Sequence, residues 1–273
     1  MEQVVIGITD DQPGSTAIEW AIERVRSRPI HFRLVCAVDV SASSLDPLKT
    51  LLAETAHRIQ LVAPETQVDT ALIDRPLLHE LLDRSEAADL LVIGSHPDPG
   101  IREGRTPSFP VSLAARSQCP VVVVPDDWQP RGGPIVVGVD AVDGWREAGV
   151  FAAQEAAAAG RDLVIVHTWE PWGLQNTRAT QFEHESMLEG IVAQARAQFP
   201  SVSVQGVLHE AVAHEGVIAS SQNASLIVLG THRLGRESGL VLGAIHQEIM
   251  IRGGTPLCIV PLADTADDLR PLG

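Results

Sequence analysis

Positive charge is scarce in this chain of 273 residues, whose formal net charge is −15 at pH 7 and whose only lysine is Lys49. Proteins that hold nucleic acid neutralise its phosphates with clustered Lys and Arg, so we expect no nucleic-acid partner. A Walker-type phosphate loop needs a glycine-rich stretch directly before its lysine, and no such stretch precedes Lys49. The sequence therefore argues against P-loop ATPase chemistry.

Cysteine is also rare, and long apolar runs are missing. Cys36, Cys119 and Cys258 are widely spaced, which is typical of core thiols in a reducing compartment and not of a disulfide framework. No apolar run approaches the length of roughly 18 to 20 residues that spans a bilayer, and the first residues lack a signal-like pattern. We therefore expect a cytoplasmic protein without a membrane partner.

The sequence does contain an internal repeat. Residues 4–8 match residues 135–139, and residues 34–38 match residues 165–169, both at an offset of 131. The later matches share an offset of 136 and pair residues 90–96 with 226–232 and residues 119–125 with 255–261. A five-residue insertion between the second and third strands explains the change of offset. We therefore predict a longer second helix, or a longer loop beside it, in the second copy.

The apolar stretches of both copies run almost continuously, which is typical of strands buried on both faces of a parallel sheet. Helices must then cover both faces. They are predicted near residues 14–28, 44–63, 76–87, 108–118, 144–159, 175–198, 212–223 and 241–253. Alternating strands and helices with right-handed connections predict an α/β fold, with one doubly wound, five-stranded parallel sheet in each half.

The boundary between the two copies is predicted from composition. Residues 126–134 combine turn residues without periodicity, which indicates a linker between domains of residues 1–125 and 135–262. Each domain is long enough to bury a core of its own. Residues 263–273 form an acidic tail that we expect to be loose.

The candidate binding loop follows the fourth strand of the second copy. In open parallel sheets, ligands bind beyond the carboxyl ends of the strands. Residues 230–244 run from that strand into a helix and are rich in glycine. Glycine lets the backbone approach a phosphate closely, and the N–H groups at a helix start bind anions. The loop therefore predicts a phosphate cradle.

The same loop resembles that of ATP-binding bacterial universal stress proteins. Their motif is glycine, two residues, glycine, nine residues, then glycine followed by Ser or Thr, and Gly230, Arg233, Gly243 and Ala244 fall in that register. The similarity extends over nearly the whole chain. It implies two tandem Rossmann-like domains of the adenine nucleotide alpha hydrolase type, pairing of their last strands, and a non-enzymatic role in stress response. It also implies ATP as the ligand, with Mg²⁺ accompanying the nucleotide.

The resemblance places the binding residues in the second half, at Asp140, Thr168, Gly230, His232, Arg233, Gly235, Gly243 and Ala244. Asp140 ends the first strand, where the family holds an Asp near the adenine, and Thr168 lies at the end of the second strand. Capping of the following helix is another interpretation of Asp140. Trp169 is larger than the small aliphatic residue expected there, so it either stacks on a base or blocks the pocket.

The two copies differ in this register. In the first half it falls on Gly94, Pro97, Pro107 and Ser108. Proline has no N–H and a fixed φ, so two possible phosphate donors are lost, and we expect the first site to be silent. Pro107 followed by Ser108 also fits a plain helix start with a serine cap. In the second half the loss is milder, because Ala244 keeps its N–H and an arginine can contact phosphate directly.

Other motifs do not predict chemistry. His209 and His214 superficially resemble the zinc-protease pair, but a spacing of five residues swings the second ring about 140° around a helix from the first. We therefore predict no metal site, no catalytic residue and no enzyme activity. The alternative function is a nucleotide-independent interaction or signalling protein whose two sites are both degenerate. Whether whole chains form homodimers stays open.

Overall fold

The computed structural model describes residues 1–8, 16–38, 45–95, 108–140, 145–171, 177–231, 244–252 and 254–261. Strands and helices alternate through both halves. The first half comprises β1 (Glu2–Ile8), α1 (Thr16–Val25), β2 (Ile30–Ala37), α2 (Asp46–Val62), β3 (Gln67–Ile73), α3 (Leu77–Arg84), β4 (Leu90–Gly94), α4 (Phe109–Arg116) and β5 (Val121–Val124).

The second half repeats this order. It comprises β6 (Ile135–Val139), α5 (Ala148–Ala159), β7 (Leu163–Trp169), α6 (Thr177–Gln198), β8 (Val204–Glu210), α7 (Ala213–Ser220), β9 (Leu226–Thr231), α8 (Ala244–Arg252) and β10 (Leu257–Pro261). The helices fall where the apolar pattern predicts them, with ends that differ by a few residues. No helix in the described part of the chain combines the length and the apolar character that a membrane crossing requires.

The strands form one ten-stranded sheet in the order β3-β2-β1-β4-β5-β10-β9-β6-β7-β8. Neighbouring strands within each half are parallel. Helices cover both faces, and the buried apolar side chains form one cluster on each face of the sheet. The predicted α/β fold class with doubly wound parallel strands is confirmed.

The predicted insertion is confirmed as a longer helix. Helix α2 has 17 residues and its counterpart α6 has 22, a difference that equals the change of offset between the copies. Both helices follow their preceding strand at a corresponding position, so the extra residues lie at the carboxyl end of α6. The extra residues leave the strand order of the second half the same as in the first, because a helix outside the sheet can lengthen without changing the strands.

The two halves meet through their last strands. β5 and β10 pair in antiparallel fashion, with Val122 opposite Cys258 and with Val121 opposite Ile259. Both strands are short and apolar, and all their paired side chains are buried. Each half would otherwise expose an unpaired strand edge, which is a template for aggregation. The antiparallel pair joins the two parallel sheets into one.

A buried ion pair joins the same two halves on one face of the sheet. Arg24 of α1 donates from its terminal nitrogens to both carboxylate oxygens of Glu155 in α5, and the distance from Nη2 to Oε1 is 2.8 Å. The same Nη2 also lies 2.6 Å from Oε1 of Glu2. The side chains of Arg24 and Glu155 are 4% and 7% exposed. Burial lowers the pKa of Arg24, but the two carboxylates outweigh burial and the net shift is upward. The arginine therefore stays charged inside the interface.

Arg24 and Glu155 are separated by 131 residues, which is also the offset of the repeat in this region. They are therefore equivalent positions of the two copies. The buried residues of α1 and α5 follow the same register, since Ala17, Ala21 and Arg24 correspond to Ala148, Ala152 and Glu155. The two helices thus meet across an approximate twofold axis, where one copy supplies the cation and the other the anion.

We predict that Val122→Cys forms a disulfide with Cys258 inside one chain. The two residues face each other across β5 and β10 and lie in the same buried cluster, so their Cβ atoms are within disulfide range. The measurement is non-reducing electrophoresis with mass spectrometry after mild oxidation. Val123→Cys is the matched control, because that side chain belongs to the cluster on the other face. A covalent dimer in place of the internal bridge would contradict the pairing.

We predict that the losses of stability from removing the two partners of the buried pair are not additive. Arg24→Met leaves Glu2 and Glu155 short of a cation, and Glu155→Leu leaves two arginines facing Glu2 alone. Each single variant should lower the free energy of unfolding by about 3 kcal/mol, and the double variant by clearly less than the sum. Urea denaturation measures all three. Arg33→Met, which breaks the exposed pair with Asp69, is the control and should change stability little. Additive losses would contradict the prediction.

Candidate functional site

A cavity of about 330 Å³ lies at the carboxyl ends of β6, β7 and β9 in the second half. Its lining combines small or apolar residues with a few polar groups: Gly138, Val139, Asp140, Val166, His167, Thr168, Ala213, Val217, Leu229, Gly230, Ile245 and His246. This size lies within the range of about 300 to 1,000 Å³ that small-molecule sites occupy. The cavity sits where ligands bind in open parallel sheets.

The strand register explains why three predicted residues meet here. Val139, the last residue of β6, pairs with His167, so Asp140 and Thr168 follow side by side at the sheet edge. On the other side of β6, Val137 pairs with Val228, which places Gly230 level with Val139 at the same edge. Asp140 is exposed and Thr168 and Gly230 are half-buried. A carboxylate, a hydroxyl and a glycine backbone therefore border one cavity.

Two glycines keep the elements around the cavity close together. A Cβ at Gly138 would lie 2.6 Å from Cδ2 of Leu229, so β6 carries no side chain at that point. A Cβ at Gly216 of α7 would lie 2.5 Å from Cγ2 of Thr168. Any larger residue would push α7 away from β7. The position of Thr168 thus depends on the close approach of α7.

A histidine pair supports the β7 side of the cavity. Nδ1 of buried His167 lies 2.8 Å from the carbonyl oxygen of Val139, and Nε2 lies 2.8 Å from Nδ1 of His184 in α6. Burial lowers the pKa of His167 and favours the neutral ring. A carbonyl only accepts, so the His167 proton sits on Nδ1, and its Nε2 accepts from Nδ1–H of His184. This chain of hydrogen bonds ties β6, β7 and α6 together beside the cavity.

Trp169 adopts neither of the two roles considered for it. Its ring is 5% exposed and stacks on His184, with ring centroids 5.4 Å apart and planes inclined by 25°. Thr168, the preceding residue, points to the opposite side of the strand and lines the cavity. The tryptophan therefore packs β7 against α6 and leaves the cavity open.

Helix α8 contributes its amino end to the cavity. It begins at Ala244, and Ile245 and His246 of its first turn are lining residues. His246 is 5% exposed, and its Nε2 lies 3.1 Å from the carbonyl oxygen of Gly230. This hydrogen bond holds the first turn of α8 against the end of β9. A helix start carries a partial positive charge, which favours an anion there.

The structure brings together part of the predicted site. Asp140, Thr168 and Gly230 line the cavity, and Ala244 starts the helix that borders it. His232, Arg233, Gly235 and Gly243 lie outside the described residues. His167 and His246 are lining residues that the sequence analysis missed. His167 could have been found from its place at the end of a predicted strand, whereas His246 depends on how α8 packs on β9.

The corresponding position of the first half is described only in part. Gly94 ends β4, while Pro97 and Pro107 lie outside the described residues. Ser108 precedes α4 in the N-cap position with extended backbone angles, but its side chain makes no capping hydrogen bond. Ser108 therefore occupies the expected N-cap position without making the capping hydrogen bond.

The two histidines that superficially resemble the zinc-protease pair lie on different elements and do not share a helix face. His209 belongs to β8 and its Nε2 lies 2.8 Å from Oγ of Ser220, while His214 belongs to α7. Across the residues that the structure describes, no three His, Cys, Asp or Glu side chains are grouped closely enough to hold a metal ion.

Comparison with known proteins identifies the family. The profile of the universal stress protein family matches residues 1–125 and 133–261. The universal stress protein Rv2623 of Mycobacterium tuberculosis is 24% identical over 287 aligned residues, which cover 94% of this chain and 95% of that protein. A universal stress protein structure from Archaeoglobus fulgidus is 16% identical with a TM-score of 0.65, and covers 94% of this chain and 98% of its own.

A second structure, the functionally unknown protein PA1789 from Pseudomonas aeruginosa, has a TM-score of 0.70 at 16% identity, and covers 96% of this chain and 92% of its own. At such identities the structural likeness shows the fold alone. The family profile, in contrast, matches both copies of the repeat and most of the chain. The chain therefore belongs to the universal stress protein family, with one family domain in each half, as the loop register predicted.

Proposed function

We propose that the second half of this protein binds an adenine nucleotide, ATP with its Mg²⁺, and that the chain serves stress response without turning the nucleotide over. The observation that carries the proposal is the cavity of about 330 Å³ bordered by Asp140, Thr168 and Gly230. Its volume accommodates a nucleoside, and its polar groups are few and lie at one sheet edge. Such a combination is typical of ligand sites in open parallel sheets.

In this proposal the nucleoside lies between β6 and β7. Val139, Val166 and Val217 offer apolar contacts to a base, and Asp140 offers an acceptor for N–H or hydroxyl donors of the base or the ribose. Thr168 adds a hydroxyl that both donates and accepts. The histidine pair behind this wall holds β6 and β7 at a fixed separation. The apolar groups supply binding energy, while the polar groups select orientation.

In this proposal the phosphates of the nucleotide lie beside the amino end of α8. The glycine-rich residues 230–244 connect the end of β9 to the start of this helix. The helix start supplies backbone N–H donors and a partial positive charge, which favour an anion. His246 holds the helix start to Gly230, so these donors are in place before the ligand arrives. Magnesium would be bound through phosphate oxygens and water, as is usual for nucleotide-bound Mg²⁺.

The first half is proposed to be silent. Its register places Pro97 and Pro107 where the second half has Arg233 and Gly243. A proline cannot donate a hydrogen bond from its backbone to phosphate. The expected stoichiometry is one nucleotide per chain.

A second candidate function is a nucleotide-independent interaction protein. It is favoured by Ala244, which lacks the hydroxyl of the family motif, and by the prolines of the first half. In that case the two-domain body would act through its surfaces alone. The two functions differ in one measurable quantity, the affinity of the chain for ATP.

We predict that isothermal titration with magnesium ATP shows saturable binding of one nucleotide per chain. Gly243→Asp should abolish the heat of binding, because the new carboxylate repels the phosphates. Pro107→Asp is the matched control, since it adds the same charge at the equivalent position of the first half and should leave binding unchanged. No binding at millimolar ATP supports the second candidate function. Steady ATP hydrolysis by the wild-type chain would contradict the non-enzymatic role.

We predict that Asp140→Ala weakens binding of magnesium ATP about tenfold or more, because a hydrogen bond to a carboxylate is among the stronger ones. Asp127→Ala is the control, since Asp127 is also exposed but lies in the linker away from the cavity. Both affinities come from the same titration. If Asp140 only caps a helix, its loss should lower the melting temperature and leave the affinity of the folded protein unchanged.

A further inference from the structure

A second cavity, of about 360 Å³, lies between the two halves. It is bordered by the carboxyl ends of α1 and α5, by the linker around Trp128, and by the first residues of β6 and β9. The cavity of about 330 Å³ proposed above to bind the nucleotide, called the nucleotide cavity from here on, lies at the carboxyl ends of β6 and β9. The two cavities therefore lie at opposite ends of the same strands. We call this second cavity the interdomain cleft.

The interdomain cleft is basic, although the chain as a whole has a net charge of −15. Its basic lining residues are Arg24, Arg26, Arg28, Arg131 and Arg161, a quarter of the 20 basic residues of the chain. Only Glu23 and Glu155 oppose them in the lining. The cleft is therefore a local concentration of positive charge on an acidic protein.

Part of this charge is already neutralised. Arg24 and Arg28 share the carboxylates of Glu2 and Glu155, and Nη1 of Arg28 lies 3.0 Å from Oε1 of Glu155. Arg26 lies near Glu23 on the exposed surface. These contacts leave the inner wall of the cleft close to neutral.

Arg131 and Arg161 differ from the other three arginines. Nη1 of Arg131 donates to the carbonyl of Gln222 at 3.1 Å, and Nη1 of Arg161 donates to the carbonyls of Arg131 and Gly133. Among the described residues, neither guanidinium forms an ion pair with a carboxylate. Each uses a single terminal nitrogen in these bonds. The cleft thus carries two uncompensated cations with free donors.

The cleft also collects buried donors that have no acceptor. Nε of Arg24, Nε of Arg28 and Nε1 of Trp128 are buried and make no hydrogen bond within the described part of the chain. All three residues line the cleft. Arg24 and Trp128 are 7% and 6% exposed. Oε2 of Glu2 is a buried acceptor without a partner in the same cluster, and all these atoms are shielded from the open part of the cleft, so they mark an incompletely paired wall and not a contact for a ligand.

Aromatic surface lies next to these donors. Trp20 and Trp128 both line the cleft, and the guanidinium carbon of Arg24 lies 5.7 Å from the ring centre of Trp20. Ile135 and Leu226 add apolar surface at the starts of β6 and β9. A ligand that carries only charge would leave this part of the cleft unused.

We propose that the interdomain cleft binds a small organic phosphate, with its dianionic phosphate held by Arg131 and Arg161 and its apolar body packed against Trp20 and Trp128. A phosphate dianion matches the two uncompensated cations, and its oxygens accept from guanidinium groups in paired geometry. The carboxyl ends of α1 and α5 carry a partial negative charge of about half a unit each, which the excess of arginines over carboxylates in the lining outweighs. Because residues of both halves line the cleft, its occupant contacts both domains at once.

The test uses the full chain and phenyl phosphate, which combines an aromatic body with a phosphate that is dianionic at about pH 7.5. Titration calorimetry should show saturable binding, with inorganic phosphate binding more weakly because it lacks the ring. Arg131→Gln should weaken phenyl phosphate binding about tenfold or more, and Arg161→Gln should act in the same direction. Arg131 touches only a backbone carbonyl, so its variant carries the test even if Arg161→Gln unfolds.

Arg116→Gln is the matched control, because it removes one exposed arginine from α4 with the same change in net charge. It should leave binding unchanged. The proposal is overturned if phenyl phosphate does not bind at millimolar concentration, if it binds no more tightly than inorganic phosphate, or if the Arg131 and Arg116 variants behave alike. If saturating ATP displaces phenyl phosphate in a one-to-one ratio, phenyl phosphate binds in the nucleotide cavity, and this result also overturns the proposal.

Discussion

The antiparallel pairing of β5 with β10 is the constraint on which the rest of this structure depends. Every other neighbour in the sheet is parallel, so this one ladder joins two separate parallel sheets into a sheet of ten strands. It also sets the direction of each half, because strands on either side of an antiparallel pair run in opposite senses. The carboxyl ends of the strands in the two halves therefore point in opposite directions, and the cavity of the second half cannot merge with the equivalent position of the first half.

The same pairing brings α1 against α5 and places Arg24 beside Glu155. If the two halves were identical, a residue at this position would face a copy of itself across the twofold axis. Two buried arginines or two buried glutamates would repel each other in a medium that screens poorly. Covalent fusion of the copies removes this restriction, because each half can change independently. An Arg–Glu pair at equivalent positions is a contact that only unlike halves can make.

Divergence extends from the interface to the two ends of the sheet. In the second half, Gly216 lets α7 approach β7 closely beside a cavity, whereas the equivalent residue of the first half is Glu80, and His167 and His184 tie the cavity wall together. At the other end of the same strands, the linker and the ends of α1 and α5 enclose the interdomain cleft. One cavity belongs to a single domain and the other exists only because two domains are joined. A ligand in the cleft would contact both helices that carry the buried ion pair.

The sequence by itself determined the repeat, the α/β class, the order of strands and helices, and the position of the five-residue insertion, because these depend on local apolar patterns and on offsets between matching strands. It also placed Asp140, Thr168 and Gly230 at one edge, since the carboxyl ends of neighbouring parallel strands meet. Only the tertiary structure decided the roles of His246, Trp169 and Arg24. Each depends on a partner in another element, such as Glu155 at 131 residues from Arg24, and no local pattern in a sequence records how two distant helices pack.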